Sequence, residues 1–149
     1  MRAMSRENVE IIRSLFEPWE GVNVAAIDWD VEGLRELLGA AYSPDVELHT
    51  LDIPMGLGIS DCYRGPDGVI RYLREWLGPF SDYRVENLDY VDAGDCVLVP
   101  SRQTGIGSGS GARVEIELTT LYELRDGVIV RVHQFHTLDE AREASVPHE

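Results

Sequence analysis

The segment from Val97 to His136 constrains the fold more than any other part of the chain, because apolar and polar residues alternate along three consecutive stretches. Alternation of this kind places the two sets of side chains on opposite faces of a β-strand. The glycine- and serine-rich residues 105–111 and the tripeptide Arg125-Asp126-Gly127 separate the stretches. Links this short join neighbouring antiparallel strands. The sequence therefore predicts an antiparallel meander with one face turned towards a core.

Apolar residues at helical spacing predict three helices in the N-terminal half, ending near Pro18, Gly39 and Gly78. The first starts near Ser5 and the second is capped by Asp30. We expect an α+β fold, in which about three helices pack against the concave face of a curved antiparallel sheet. The predicted strands are 46–50, a short partner reached through a loop at Met55–Gly58 and ending near Tyr63, 83–91, 96–104, 113–124 and 128–136.

The inward face of the meander changes from apolar to polar partway along. In the register that we predict, 125–127 forms a three-residue loop with Gly127 in the left-handed conformation, so that Thr120 lies opposite Val132, Leu118 opposite Gln134 and Ile116 opposite His136. Ser101 and Gln103 approach Ile116 from the preceding strand. The polar groups of Ser101, Gln103, Gln134 and His136 should therefore converge.

Two interpretations of this convergence remain open. Because an unpaired buried polar group costs roughly 1–3 kcal/mol, the four side chains either hydrogen-bond one another and water, or line a pocket that a ligand enters. His136 is the candidate acid/base catalyst, because its ordinary pKa lies near neutrality. The predicted pocket residues are Leu48, Thr50, Ser101, Gln103, Thr120, Tyr122, Val132 and Gln134.

Composition limits the partners. With 13 basic and 27 acidic residues, the formal charge of -14 opposes binding to nucleic acid and to anionic membranes. No stretch is apolar for the length that a membrane span needs, and no signal sequence is evident at the N-terminus. We expect a single cytoplasmic domain over residues 1–149, with Cys62 and Cys96 as free thiols. No pair among the four histidines has metal-ligand spacing with a carboxylate, so neither a metal site nor a cofactor is predicted.

Several local patterns carry a family resemblance, which covers nearly the whole chain. They are SRENVEIIRSLFEPW, SPDVELHT, YRGPDGVIRYLREWL, DAGDCVLV and LYELRDGVIVRV. Together they resemble the SnoaL-like branch of the nuclear transport factor 2-like, cystatin-like superfamily. The resemblance implies an α+β cone, but it implies no single activity, because relatives include isomerases, cyclases, dehydratases, hydrolases and non-catalytic binding modules.

The catalytic residues of two such relatives are not retained. Positions matching the tyrosine and two aspartates of the ketosteroid isomerase are Leu15, Thr50 and Thr120. Positions matching the arginine and two aspartates of the limonene epoxide hydrolase are Ser101, Gln103 and Gln134. Since general base catalysis is typically worth about 10² to 10⁴ in rate, neither reaction is expected as those enzymes perform it.

Three hypotheses for function follow. The chain is an enzyme of isomerase, cyclase, dehydratase or hydrolase type on a small, largely apolar organic molecule, with Gln103 and Gln134 orienting it and His136 exchanging a proton. Alternatively it binds such a molecule without catalysis, or it is a structural or interaction module. We also expect a homodimer formed through the outer sheet face around Leu121, Ile129 and Phe135. The segment 21–29 either closes one end of the cone or decorates it.

Overall fold

Helices and strands follow the predicted order as far as residue 135, and one further helix comes after them. The computed structural model describes residues 2–29, 32–50 and 62–145. The helices are α1 (Arg2–Phe16), α2 (Glu32–Ala41), α3 (Gly65–Leu77) and α4 (Leu138–Ser145), with short 3₁₀ turns at Glu17–Trp19 and Val24–Ala26. No helix in these ranges is long and apolar enough to cross a membrane.

Within the described residues, seven strands form one sheet in the order β2-β1-β7-β6-β5-β3, with the short β4 pairing with β5. Every pairing is antiparallel except that of β1 with β7, which is parallel. The α+β architecture with a curved, mostly antiparallel sheet is confirmed. The strands are β1 (Tyr42–His49), β2 (Cys62–Arg64), β3 (Phe80–Asn87), β4 (Val91–Ala93), β5 (Cys96–Gly107), β6 (Arg113–Arg125) and β7 (Val128–Phe135).

The main core lies between the first three helices and one face of the sheet, which we call the inner face. Ile12 of α1 and Ile70 of α3 are almost fully buried there, against Val46 of β1 and Val97 of β5. These residues lie on the apolar side of each periodic pattern, so burying them removes the apolar surface that drives the fold. Inward and outward residues alternate along β5 and β6 as predicted.

Helix α4 covers part of the opposite face, which we call the outer face. Its Ala141 is buried together with Leu98 of β5 and Leu121 of β6, which lie beneath the helix. We did not predict this helix because it has few apolar residues. Its start nevertheless has a sequence signature: Glu140 N donates to Thr137 Oγ1 at 3.2 Å and Thr137 N donates to Glu140 Oε1 at 3.1 Å, which is a capping box.

Several predicted boundaries are wrong. Helix α1 begins at Arg2, before Ser5, and β1 begins at Tyr42, so that the predicted turn at 43–45 lies within the strand. The strand predicted at 83–91 is two strands in the structure. β3 ends at Asn87, and a loop separates it from β4, which begins at Val91. The predicted cap at Asp30 and the loop Met55–Gly58 lie outside the described residues.

The predicted register of the last hairpin is wrong by one residue at the turn and by two residues from Glu123 onwards. Arg125 pairs with Val128, and Asp126 and Gly127 both have positive φ, at 53° and 78°. A two-residue turn of this kind matches the twist of the flanking strands better than a three-residue loop. A β-bulge follows the turn. Leu124 pairs with Ile129 but Glu123 pairs with Arg131, so that Val130 is an extra residue on β7.

This bulge changes which side chains of β7 face inwards. Ile129 is fully buried in the main core, whereas we had assigned it to the outer face. Beyond the bulge the alternation follows the prediction again, with Val132 opposite Tyr122 and Gln134 opposite Thr120. The inward direction of Val132 and Gln134 was therefore correct although their predicted partners were not.

Candidate functional site

A cavity of about 200 Å³ lies between the first three helices and the inner face of the sheet. Most of its wall is apolar or aromatic. All three tryptophans of the chain line it. The lining residues from the helices and the segment between α1 and α2 are Leu15, Phe16, Trp19, Glu20, Val24, Trp29, Leu34, Leu37, Leu38, Val69, Tyr72, Leu73, Trp76 and Leu77, and those from the sheet are Tyr42, Leu48, Tyr83, Val85, Asn87, Val99, Ser101, Gln103, Thr120, Tyr122, Val132 and Gln134.

Nearly all of the predicted pocket residues reach this wall. The exception is Thr50, which follows β1 and does not line the cavity. The predicted placement of His136 is also wrong. It is exposed, it lies beyond the last residue of β7, and it is absent from the cavity wall. The shift of the hairpin register explains this. Gln134 pairs with Thr120, and β7 ends at Phe135, so that His136 lies beyond the last residue of the strand.

One group of polar side chains forms a hydrogen-bonded row on β3 and β5. Tyr83 OH donates to Gln103 Oε1 at 2.6 Å, and Gln103 Nε2 donates to Ser101 Oγ at 3.2 Å. Ser101 Oγ in turn donates to the Leu118 carbonyl at 3.4 Å. Ser101 and Gln103 meet because they are two residues apart on one strand. The row fixes the amide of Gln103 in one orientation within the cavity wall.

Gly105 allows Tyr83 to take this position. Gly105 pairs with Tyr83 across β5 and β3, and a Cβ atom added to it would lie 2.8 Å from the rings of both Phe80 and Tyr83. Side chains do not approach that closely without displacement. The first glycine of the 105–111 segment therefore serves the packing of the cavity wall.

A second polar pair links β7 to α3. Gln134 Nε2 donates to Tyr72 OH at 2.7 Å, and both residues are buried. Burial raises the pKa of Tyr72 to about 12, although the Gln134 hydrogen bond works in the opposite direction. Burial likewise raises the pKa values of Tyr42, Tyr83 and Tyr122. These phenols are neutral near pH 7 and act as hydrogen-bonding groups, not as bases.

Two indole N–H groups in the cavity wall are buried without a hydrogen-bond partner among residues 2–29, 32–50 and 62–145. They are Nε1 of Trp29 and Nε1 of Trp76. Trp76 is only 4% exposed. A buried donor without a partner costs roughly 1–3 kcal/mol. These donors favour an occupant that carries a hydrogen-bond acceptor.

Glu20 supplies the sole carboxylate of the cavity wall within the described part of the chain. Its Oε1 accepts from Asn87 N at 2.9 Å and its Oε2 accepts from Tyr90 OH at 3.3 Å. Asn87 Nδ2 also donates to Tyr90 OH at 3.0 Å. Tyr90 has a raised pKa, mainly through burial, with Glu20 adding to the effect. The carboxylate is thus held in place by donors from β3 and the loop after it.

The segment 21–29 is fastened to the sheet and forms part of the cavity wall. Asn23 Oδ1 accepts from Tyr83 N at 3.0 Å and Asn23 Nδ2 donates to Ser81 O at 3.3 Å, which fastens the segment to β3. Val24 and Trp29 then line the cavity. The segment therefore does more than decorate the surface, and its closure of one end of the cone stays a prediction.

The helices and the segment between them contribute residues whose role the sequence did not decide. The helical spacing of Phe16, Trp19, Tyr72 and Trp76 favoured core packing over a place at the mouth of an apolar pocket, yet all four line the cavity. Glu20 carries no local signal, since it follows Pro18 in an irregular turn. The sequence did show the polar positions on β5 and β7, because alternation alone fixes their face.

Comparisons with solved structures place this fold among known ones. A SnoaL-like protein from Jannaschia sp. CCS1, provisionally described as a polyketide cyclase, is 23% identical, with a TM-score of 0.66 over 96% of this chain and 94% of that one. A protein of nuclear transport factor 2-like fold and unknown function from Burkholderia pseudomallei K96243 is 16% identical, with a TM-score of 0.67 over 94% and 98%. TerC, solved with polyporic acid, is 18% identical, with a TM-score of 0.66 over 93% and 97%.

At these identities the likeness establishes the fold and not a shared activity. No protein with a curated function matches the chain. The sequence model of the SnoaL-like domain matches residues 12–132. This range includes α1 from Ile12, both 3₁₀ turns, α2, α3 and the sheet as far as Val132 of β7. The chain therefore belongs to the SnoaL-like domain family.

Proposed function

We propose that the cavity binds a small, largely apolar organic molecule that carries one or two oxygen functions. The observation that supports this proposal is an apolar cavity of about 200 Å³ whose few polar side chains are held in fixed orientations by one another. Small-molecule sites generally have this composition, in which apolar walls provide affinity and a few placed polar groups provide orientation.

The polar groups of the wall suit a neutral ligand better than a charged one. Gln103 and Gln134 offer amide groups, and Tyr72 and Tyr83 remain protonated near neutral pH because burial raises their pKa values. None of the described residues that line the cavity is a lysine or an arginine. A hydroxyl or carbonyl oxygen of the ligand would accept from Trp76 Nε1 and satisfy its buried N–H group.

Binding can be tested with 2-naphthol as the probe, because all three tryptophans line the cavity and report on its occupancy. Titration of the wild-type protein should change tryptophan fluorescence saturably. Gln103→Leu should weaken 2-naphthol binding roughly 5- to 10-fold, the value of one hydrogen bond, while affinity for naphthalene is retained. Arg102→Ala, at the neighbouring outward position, is the matched control and should change neither. Absence of saturable binding by either compound would overturn the proposal.

A second candidate function is catalysis of proton transfer next to a carbonyl group, with Glu20 as the base. The observation that favours it is the carboxylate of Glu20 at the cavity wall, oriented by Asn87 and Tyr90. A positioned carboxylate can accept a proton from carbon, and an amide such as that of Gln103 can donate a hydrogen bond to the resulting enolate oxygen. This candidate assigns to Glu20 the role that the sequence suggested for His136.

Deuterium exchange distinguishes a catalyst from a binding protein. With 2-tetralone in D₂O, a catalyst should exchange the protons next to the carbonyl faster than buffer does, as followed by NMR. Glu20→Gln should lower the rate roughly 10²-fold or more. Glu17→Gln, an exposed carboxylate in the same turn, and His136→Ala should leave the rate unchanged. Saturable binding of 2-naphthol without exchange would support the binding function alone.

The homodimer predicted from the sequence remains a prediction, as does the cytoplasmic location. The surface that we expected to mediate the dimer needs correction, because Leu121 lies beneath α4 and Ile129 lies in the main core. The outer face still presents Arg102, Glu117 and the half-buried Phe135. Light scattering at micromolar concentration tests the dimer, and a monomer mass would exclude it.

A further inference from the structure

We propose that Glu47, His49 and Cys62, on the outer face of the sheet, form a binding site for a borderline divalent metal ion, with Zn²⁺ as the favoured ion. Imidazole, thiolate and carboxylate are the ligands that Zn²⁺ takes in proteins. The site lies on the side of the sheet opposite the cavity. It depends on neither the proposed ligand nor the proposed chemistry of the cavity.

The register of two neighbouring strands, β1 and β2, brings these side chains together. Glu47 and His49 are two residues apart on β1, so both point away from the buried Leu48 between them. His49 pairs directly with Cys62 of the antiparallel β2. Spacing along the chain did not indicate this arrangement, because these ligands meet across strands.

The distances are suitable for a shared ion. One ligand atom from each of the three side chains lies within 4.8 Å of the other two. Ligands at zinc bond lengths of about 2.0–2.3 Å lie about 3.5 Å apart in a tetrahedral site. Small rotations of half-exposed side chains can close this gap. Three protein ligands leave the fourth position to water.

Neighbouring groups support the arrangement. His49 Nε2 lies 3.2 Å from Glu47 Oε1, so an ion would take the place of the proton that these two atoms share. The His49 ring also stacks on that of His133, with ring centroids 5.2 Å apart, which limits its rotation. The side chains of His49 and Glu47 are 33% and 41% exposed, so an ion can reach them from solvent.

An ion-pair function for Glu47 is the simpler alternative. Arg64 Nη1 lies 3.8 Å from Glu47 Oε2, but the arginine side chain is 76% exposed, and such pairs contribute little to stability. Arg131, which pairs with Glu47 across β7, directs its guanidinium to Glu123 at 2.8 Å. Neither contact requires the histidine or the cysteine to lie where it does.

Cobalt(II) binding to the untagged full-length protein tests the site. Under reducing conditions, Co²⁺ should produce a thiolate-to-metal charge-transfer band, and added Zn²⁺ should abolish it. Cys62→Ser should remove the band, whereas Cys96→Ser, which alters the buried cysteine of β5, should retain it. His49→Ala and Glu47→Gln should each weaken Zn²⁺ binding roughly tenfold or more. Far-ultraviolet circular dichroism confirms that each variant is folded.

Two results would overturn the proposal. One is a wild-type protein that shows no charge-transfer band with excess Co²⁺. The other is a band that persists in folded Cys62→Ser or that shows unchanged affinity in both His49→Ala and Glu47→Gln. As a control for histidine binding elsewhere on the surface, His136→Ala should bind Zn²⁺ with wild-type affinity.

Discussion

Arg102 and Gln103 are neighbours on β5, yet their side chains lie in opposite environments. Arg102 points outwards and is 45% exposed, with Glu117 at 3.3 Å and Glu86 at 3.5 Å as its ion-pair partners. Gln103 points inwards, where it accepts from Tyr83 at 2.6 Å and donates to Ser101 at 3.2 Å. The two faces of one strand thus use polar groups in different ways.

The difference is one of solvent and of partners. The charged groups of outer-face ion pairs are in contact with water whether or not the pair forms, so each pair contributes only about 0–1 kcal/mol to stability. On the inner face, a polar group that loses its partner costs roughly 1–3 kcal/mol because water does not replace the bond. Polar residues on the inner face are therefore constrained in orientation, and that constraint makes the cavity a candidate site.

The largest effect on the free energy of unfolding is expected for a residue that packs on the outer face, away from the cavity. Leu121→Ala removes a fully buried side chain beneath α4 and should lower the free energy of unfolding by about 2–5 kcal/mol. Urea denaturation measures this. Leu88→Ala, at a position that is 49% exposed, is the control. Because Leu121 does not line the cavity, 2-naphthol affinity should not change; a large loss of affinity in folded Leu121→Ala would contradict the separation of the two faces.

Alkaline pH should act mainly on the inner face, where four buried phenols lie, and to a smaller extent on the outer face, where burial raises the pKa of the Cys96 thiol to about 11. The folded protein holds the phenolic protons of Tyr42, Tyr72, Tyr83 and Tyr122 above their ordinary pKa of 10.0, because burial disfavours the phenolate. Above pH 10 the unfolded chain releases these protons and the folded chain retains them, so the free energy of unfolding falls as pH rises, by up to about 1.4 kcal/mol per pH unit for each phenol.

These tyrosines should therefore ionise only as the protein unfolds. The rise in the ultraviolet absorbance of the phenolate should coincide with the loss of the circular dichroism signal. If all the tyrosines titrate near pH 10 in a protein that stays folded, the buried hydrogen-bonded description of the cavity wall is wrong.

The pair formed by Gln134 and Tyr72 should be measurably coupled. Gln134→Leu leaves the buried phenol without its donor and should cost about 1–3 kcal/mol of stability. Tyr72→Phe removes the other partner, and the double variant should show a coupling energy of about 0.5–1.5 kcal/mol. A coupling energy near zero in chemical denaturation would show that the 2.7 Å bond contributes nothing.

The smallest effect belongs to the outer face. Arg102→Ala removes ion pairs with exposed glutamates and should change stability by about 1 kcal/mol or less. The change should shrink further in high salt, which screens exposed charges. Thermal unfolding at two salt concentrations provides the comparison. A loss as large as that expected for Gln134→Leu on the inner face would show that polar groups on the two faces are equally constrained.

Alternation along β5 and β6 was sufficient to predict which residues face inwards, because a strand offers only two directions. It predicted Ser101, Gln103 and Thr120 in the cavity wall. The family patterns predicted the fold that the structure has. These predictions depend on local geometry, which the sequence displays directly.

What the sequence could not supply depends on pairings between distant segments. The two-residue turn and the bulge at Val130 each moved the register of β7 by one residue, which left His136 outside the cavity and brought Gln134 opposite Thr120. The contribution of Glu20 depends on an irregular turn packed against β3. No periodicity describes such contacts, since they result from the docking of one element on another.

The proposed binding function requires that the space between the helices and the inner face accepts an apolar molecule. A crystal structure of the protein under xenon pressure tests this requirement, because xenon enters apolar cavities without needing a hydrogen bond. We expect a xenon atom in contact with wall residues such as Tyr72, Trp76, Val99 and Val132. A cavity filled by its own side chains, with no xenon between helices and sheet, would contradict it.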